Sequence, residues 1–110
     1  MAYDEELAGR IRRLTANEPG VTEKAMFGGL AFLIGGNMAI AASGQGGVLV
    51  RVDPEDSAEL VASTAAEPME MRGKKMDGWL RVAAEDVRAE AQLAKWVAIG
   101  TTYAHTLPPK

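Results

Sequence analysis

The chain has 110 residues, 47% of them hydrophobic and 25% charged, with a formal net charge of -3 and no cysteine. This length and composition predict a single domain over 1–110 that buries its own core, and they exclude long disordered regions. The lack of thiols excludes disulfides, zinc–thiolate sites and cysteine nucleophiles, and the acidic balance argues against direct nucleic-acid binding.

The N-terminal residues do not indicate secretion. Acidic residues stand where a signal peptide carries basic ones, and no apolar core segment of sufficient length follows them. The longest mostly apolar run, 25–43, is interrupted by glycines and Asn37, which favours paired strands over a membrane span. We therefore expect a cytoplasmic protein with no membrane partner.

A helix is the first element that the sequence predicts. Asp4 can cap its first turn, and an apolar stripe follows at helical spacing, formed by Leu7, Ile11 and Leu14. Pro19 and Gly20 end the helix near Asn17. The helix also carries Arg10, Arg12 and Arg13, which the acidic balance favours as a solvated face rather than a nucleic-acid patch.

Extended segments separated by glycines come next. The predicted strands are Thr22–Phe27, Leu30–Ile34, Met38–Ser43 and Val48–Val52. Gly28 and Gly29 predict a bulge, a bend or a close backbone contact, and a tight hairpin is predicted over 35–37. Both faces of the central strands are apolar, so we expect helix to cover one face and a partner chain, such as a second copy in a homodimer, to cover the other.

The loop 43–47, SGQGG, has the glycine spacing of part of a dinucleotide-binding loop. That fingerprint needs a helix after the loop, whereas a strand follows this one. A simple hairpin connection is therefore the favoured interpretation.

The remaining half of the chain predicts a helix, a hairpin and a last helical region. Asp53 and Pro54 suit the start of a helix. A hairpin is predicted from Met69–Arg72 and Trp79–Val82, joined by the turn GKKMDG. The last helical region is 85–107, with a break near 87–90, and Gly100 within it indicates close packing against another backbone.

The residue types that carry chemistry are sparse. His105 is the only histidine, and a position in the last helical turn favours a capping or surface role. The acidic residues cluster at helix starts and in loops, which favours caps and solvated charges over a catalytic carboxylate pair. We therefore assign no catalytic, cofactor-binding or metal-binding residue and expect no cofactor.

The most compact basic patch lies on the second hairpin, at Arg72, Lys74 and Lys75, with Met76 beside it. These residues are the candidates for contact with an acidic partner, the alternative being a solubilising turn. The chain has six methionines, which either fill gaps in the core or form a surface that adapts to partners.

Several segments together resemble the N-terminal domain of the TfoX/Sxy family, the bacterial regulators of competence for DNA uptake. The segments are KAMFGGLAFLIGGNMA at 24–39, LVRVDPED at 49–56, PME at 68–70, GWLRV at 78–82 and TLPPK at 106–110. Because the founding members carry a second, C-terminal domain, the resemblance is to a stand-alone N-terminal domain.

The resemblance implies an α+β fold, similar to the secretion chaperones, in the order helix, three-strand antiparallel meander, helix, two-strand hairpin and C-terminal helix. It also implies a regulator that works with the transcription machinery, such as the cyclic-AMP receptor protein, and it brings no catalytic residues. A non-enzymatic protein-interaction module, related to transcriptional co-regulation, is the leading hypothesis. The alternative is a small-molecule-binding domain or minor enzyme with a pocket between the sheet and the last helix, near Trp79 or Trp96.

Overall fold

The computed structural model of the protein describes residues 3–26, 28–71 and 73–109. Its helices are α1 (Glu5–Leu14), α2 (Ser57–Ser63) and α3 (Glu90–His105). Its strands are β1 (Val21–Met26), β2 (Gly29–Ile34), β3 (Asn37–Ala42), β4 (Val48–Arg51), β5 (Glu67–Met71) and β6 (Lys74–Val82). No helix of the described residues is long and apolar enough to cross a bilayer.

The strands form one six-stranded sheet in the order β1-β2-β3-β4-β6-β5, in which every neighbouring pair is antiparallel. The predicted α+β fold is confirmed, including the meander of β1, β2 and β3. The meander continues into β4, over the segment that the sequence predicts as a strand. The β5–β6 hairpin then joins the same sheet because β6 pairs with β4.

The first helix begins as predicted. The carboxylate of Asp4 accepts hydrogen bonds from the amides of Glu6 at 2.9 Å and Leu7 at 3.2 Å. These are amides of the first turn, which have no partner within the helix. Leu7, Ala8 and Ile11 are buried against the sheet core.

The predicted start of the second helix is wrong by one turn. α2 begins at Ser57, and Asp53 instead closes a turn in which its carboxylate accepts from the Glu55 amide at 2.9 Å. The backbone hydrogen bonds of this segment span three residues rather than four: the Asp56 amide donates to the Asp53 carbonyl at 2.9 Å and the Ser57 amide to the Pro54 carbonyl at 3.4 Å. Residues 54–56 therefore form a turn, and the four-residue bonds of an α-helix begin with the Leu60 amide, which donates to the Asp56 carbonyl at 3.0 Å.

The turn predicted between the second pair of strands is also too long. β6 begins at Lys74, so Lys74, Lys75 and Met76 lie in a strand rather than in a projecting turn. Arg72 lies outside the described residues. The break in the last helical region is confirmed, because a short 3-10 helix over Ala84–Val87 precedes α3.

α1 and α3 cover one face of the sheet and enclose the main core. Phe32 and Ile40 from the sheet meet Ile11 from α1 and Leu93 and Trp96 from α3. Gly100 of α3 lies against the backbone of Ala39 in β3, so the predicted close backbone contact at Gly100 is confirmed. The opposite face of the sheet is not part of this core.

Candidate functional site

The face of the sheet that points away from α1 and α3, which we call the inner face, carries a second apolar cluster. Successive residues of a strand point to opposite faces, so the neighbours of Phe32 belong to it. Its buried members are Ala31, Met38, Ala41 and Leu49, and its partly buried members are Met26, Leu33, Met69 and Trp79. All of them come from strands, so within the described residues no helix contributes to the cover of this cluster.

The sheet curves around this cluster. Met26 of β1 and Met69 of β5 line the same cavity, which has a volume of about 70 Å³. These strands are the opposite edges of the six-stranded order and would lie about 24 Å apart in a flat sheet, at about 4.8 Å for each strand step. Only strong curvature brings both edges to one small cavity.

Local backbone features explain the curvature. The ladders shift register between Phe32 and Leu33 and between Pro68 and Met69, and bulges of this kind bend a strand and increase its twist. Gly78 interrupts β6 at a φ of 87°, a conformation that other residues rarely adopt. The sheet is therefore bent near both of its edges, in the β2–β3 ladder and in the β5–β6 ladder.

The cavity has an apolar wall and a polar rim. The wall contains Met26, Ala31, Met38, Ala41, Leu49 and Met69. Ser43, Gln45 and Arg81 form the rim. Methionine side chains are flexible and polarizable, so a wall that contains several of them can adapt to groups of different shape.

Arg81 is half-buried at this rim. Its guanidinium donates to the Ser43 hydroxyl at 3.4 Å, which is a long hydrogen bond. Glu67 is its cross-strand neighbour, yet neither residue takes part in an ion pair among residues 3–26, 28–71 and 73–109. Arg81 therefore presents unused donors beside an apolar cavity.

Arg51 is a second half-buried cation, opposite Trp79 in the β4–β6 ladder, and its guanidinium lies between Trp79 of the inner face and Tyr103 of α3. Its guanidinium carbon lies 5.1 Å from the centroid of the Trp79 ring and 5.8 Å from that of the Tyr103 ring. Both distances allow cation–π attraction. In the part of the chain that the structure describes, no carboxylate pairs with Arg51.

The residues predicted to contact a partner differ in exposure, although the three that the structure describes are consecutive in β6. Met76 is half-buried opposite Met69, whose side chain packs in the inner cluster. Lys74 and Lys75 are exposed on the hairpin, and Arg72 lies outside the described residues. The sequence analysis did not single out Arg51 and Arg81, although strand alternation starts both side chains on the same face as Leu49 and Trp79.

The helical arginines lie at the surface, with Arg12 and Arg13 exposed, and two of the three form ion pairs there. Arg10 pairs with Glu90 at 3.1 Å and donates to the Arg88 carbonyl at 3.0 Å, which joins α1 to the start of α3. Arg12 pairs with Glu23 of β1 at 2.7 Å. This hydrogen-bonded pair raises the pKa of Arg12 and lowers the pKa of Glu23.

His105 lies on the surface, in the last turn of α3, with its Nε2 atom 3.0 Å from a carboxylate oxygen of Glu18. The pair joins the end of α3 to the segment after α1. In the described residues, no group of three or more histidines and acidic residues is placed to hold a metal ion.

Larger depressions lie along α3. One of about 420 Å³ is formed by α3 and the segment that leads into α2, with Val52, Leu60, Ile99 and Tyr103 in its wall. Another of about 310 Å³ contains Trp96. Trp79 is in the wall of neither, since it packs on the inner face.

Comparison with known proteins identifies one family. The TfoX N-terminal domain matches residues 13–104, which include every strand and nearly all of α3. No curated protein matches the sequence.

Proposed function

The chain belongs to the TfoX N-terminal domain family, and on this basis we propose that it is a non-enzymatic protein-interaction module that acts in regulation. The inner face is its contact surface. The partner belongs to the transcription machinery, as the family relationship suggests. The proposed site of action is the cytoplasm.

One observation carries this proposal. The inner face joins an apolar, methionine-containing cluster to half-buried Arg81, and half-buried Arg51 lies between Trp79 of this face and Tyr103 of α3. The described residues supply no ion pair to either arginine. Interfaces are enriched in aromatic residues, methionine and arginine relative to the rest of a protein surface. Here Trp79, the methionines and the arginines lie together.

The chemistry of the side chains supports an interaction module better than an enzyme. The single histidine pairs with Glu18 on the surface. A general base needs a position within reach of a reacting group, and an environment that tunes its pKa. The ion pair with Arg12 lowers the pKa of Glu23, so this carboxylate is held in its charged form.

The test compares partner capture by matched variants. Leu33→Asp places a charge on the half-buried rim of the inner cluster, and Ala91→Asp places the same charge at an exposed position in the first turn of α3, where the helix dipole favours it. Proteins recovered from native lysate by the wild type and by Ala91→Asp, but lost with Leu33→Asp, would support the proposal. Identical protein sets from all three baits would refute it.

The cavity of about 420 Å³ beside α3 favours a second candidate function, the binding of a small molecule. Its wall combines apolar side chains with Asp53, Asp56 and the Tyr103 ring, and its volume lies within the usual range of ligand sites. A metabolite screen by thermal shift tests this candidate, because a ligand that binds only the folded state raises the melting temperature. A broad library that gives no shift would remove it.

A further inference from the structure

We propose that the cavity of the inner face binds one apolar side chain of an acidic partner segment, and that Arg81 at the rim pairs with a carboxylate of that segment. This inference rests on the proposed function. It adds the chemistry of the partner and the atoms that recognise it.

The shape of the cavity supports a single anchoring side chain. Its volume of about 70 Å³ is too small for a helix or a drug-sized molecule, and it suits an aliphatic group such as the side chain of leucine. Met26, Met38 and Met69 lie in its wall. Interfaces commonly depend on a few side chains that fill well-packed, desolvated pockets of this kind.

The charge of the inner face selects an acidic partner. The protein has a net charge of -3, yet its inner face carries Arg81, with Arg51 beside Trp79 at the border with α3. The β1–β2 register places Lys24 on the same face as Ala31. Glu67 lies opposite Arg81, and on the side of Arg81 away from the cavity Glu85 and Asp86 line a neighbouring depression of about 410 Å³ with it, without forming an ion pair among the described residues. A second copy docked through the same face would bring arginine against arginine, whereas an acidic segment would be complementary.

Arg81 is the recognition residue because it carries a positive charge and lies at the rim of the apolar cavity. A guanidinium has five donors in a planar fork, and the hydrogen bond to Ser43 uses one nitrogen at a long 3.4 Å. The half-buried guanidinium has lost part of its hydration. A carboxylate that approaches the rim would accept from the fork in the bidentate manner that arginine favours.

The test uses a blocked pentapeptide, Asp-Glu-Leu-Glu-Asp, titrated into protein labelled with ¹³C at the methionine methyl groups. The expected result is a saturable movement of the methyl resonances of Met26, Met38 and Met69. A peptide with serine in place of leucine, or with lysine in place of each acidic residue, should produce no saturable movement.

Variants separate the two halves of the site. Arg81→Gln should weaken binding about tenfold, since a hydrogen-bonded charge pair is lost. Arg13→Gln, which removes a charge from the exposed side of α1, should leave the affinity unchanged. Ala41→Leu fills the cavity from its own wall and should abolish binding. Thermal unfolding of each variant checks that it remains folded.

Several outcomes would overturn the inference. The inference fails if the peptide leaves the methyl resonances of the wild type unmoved, or if Arg81→Gln binds the peptide with the affinity of the wild type. It also fails if the serine peptide binds as tightly as the leucine peptide. Resonances that move with protein concentration alone would indicate a second copy of the protein on the face. Failure here leaves the proposed function standing if Leu33→Asp still loses captured proteins. If the peptide does not bind and Leu33→Asp captures the same proteins as the wild type, the inner face is not a contact surface.

Discussion

Gly100, in the middle of α3, lies directly against the carbonyl group of Ala39, the residue that bulges from β3. The β2–β3 ladder pairs Phe32 with Ile40 and Leu33 with Met38, so Ala39 is the extra residue. Its backbone is pushed toward the helix, and a side chain at residue 100 would occupy the same space. The bulge and the glycine therefore determine how closely α3 approaches the sheet.

Replacement of Gly100 by alanine should destabilise the protein. A Cβ atom there would lie 3.0 Å from the Ala39 carbonyl carbon and 3.4 Å from a methyl group of Val50. Overpacking of this type lowers the free energy of unfolding by about 1–3 kcal/mol. Urea denaturation measures the change.

Gly9→Ala is the matched control for that variant. Gly9 also lies inside a helix, but the nearest atom to its added Cβ is the guanidinium of Arg13 at 3.9 Å. Alanine should therefore raise the free energy of unfolding by about 1 kcal/mol, the difference in helix propensity. Equal effects at Gly9 and Gly100 would mean that the contact with Ala39 is not limiting.

Asn37→Ala should release the C-terminal segment. The Asn37 side chain is only 3% exposed, and its amide donates to the Pro108 carbonyl at 2.9 Å. Loss of this bond should cost about 1 kcal/mol of stability and should accelerate hydrogen exchange at the amide of Leu107. Asn17→Ala, at an exposed position, should change neither quantity; protection at Leu107 that persists in Asn37→Ala would contradict the role of the bond.

Arg10→Ala should weaken the contact between α1 and the start of α3. The Arg10 side chain is 16% exposed and binds both Glu90 and the Arg88 carbonyl. We expect the free energy of unfolding to fall by about 1–2 kcal/mol, a modest value because Glu90 is largely exposed and solvent screens its charge. The measurement is thermal unfolding, with Arg13→Ala as the control, which should change the free energy of unfolding by no more than about 0.5 kcal/mol. A similar change in both variants would argue against the contact.

The ion pair of Arg12 and Glu23 should make stability depend on pH in acid. Because the pKa of Glu23 is lowered in the folded state, its contribution is complete above the unfolded value of about 4.3 and disappears as the pH falls through the folded value. Glu23→Gln lacks this contribution. The stabilities of the wild type and the variant, measured by denaturation from pH 7 to pH 2, should therefore differ at neutral pH and converge in acid.

Added salt tests the same pair independently. Because Arg12 is exposed, salt should reduce the difference between the wild type and Glu23→Gln at neutral pH. A difference that persists at pH 2, or that does not respond to salt, would show that Glu23 acts through packing instead.

Local signals in the sequence predicted most of the elements. The carboxylate of Asp4 starts α1, and the glycines at 35 and 36, both at positive φ, turn β2 into β3. The start of α2 was misplaced because Asp53 and Pro54 suit an isolated turn as well as they suit the first turn of a helix. The structure has such a turn over 54–56, and α2 then begins at Ser57 after Asp56, whose side chain makes no capping hydrogen bond.

The candidate site could be predicted only in part because its cavity is formed by residues far apart in the chain. Strand alternation places Arg51 and Arg81 beside Leu49 and Trp79, and the sequence also indicates that both faces of the sheet are apolar. The cavity itself depends on the curvature that brings Met26 near Met69, which arises from bulges and from Gly78. No short-range pattern specifies that curvature.

The two edge strands of the sheet also affect the tendency of the protein to aggregate. β1 and β5 are the edge strands, and the outer backbone groups of an edge strand can template the addition of further strands from other molecules. β5 carries Pro68, which has no amide hydrogen to donate, and β1 carries the charged Glu23 and Lys24. These residues should keep concentrated solutions of the protein from growing into continuous fibrillar sheets.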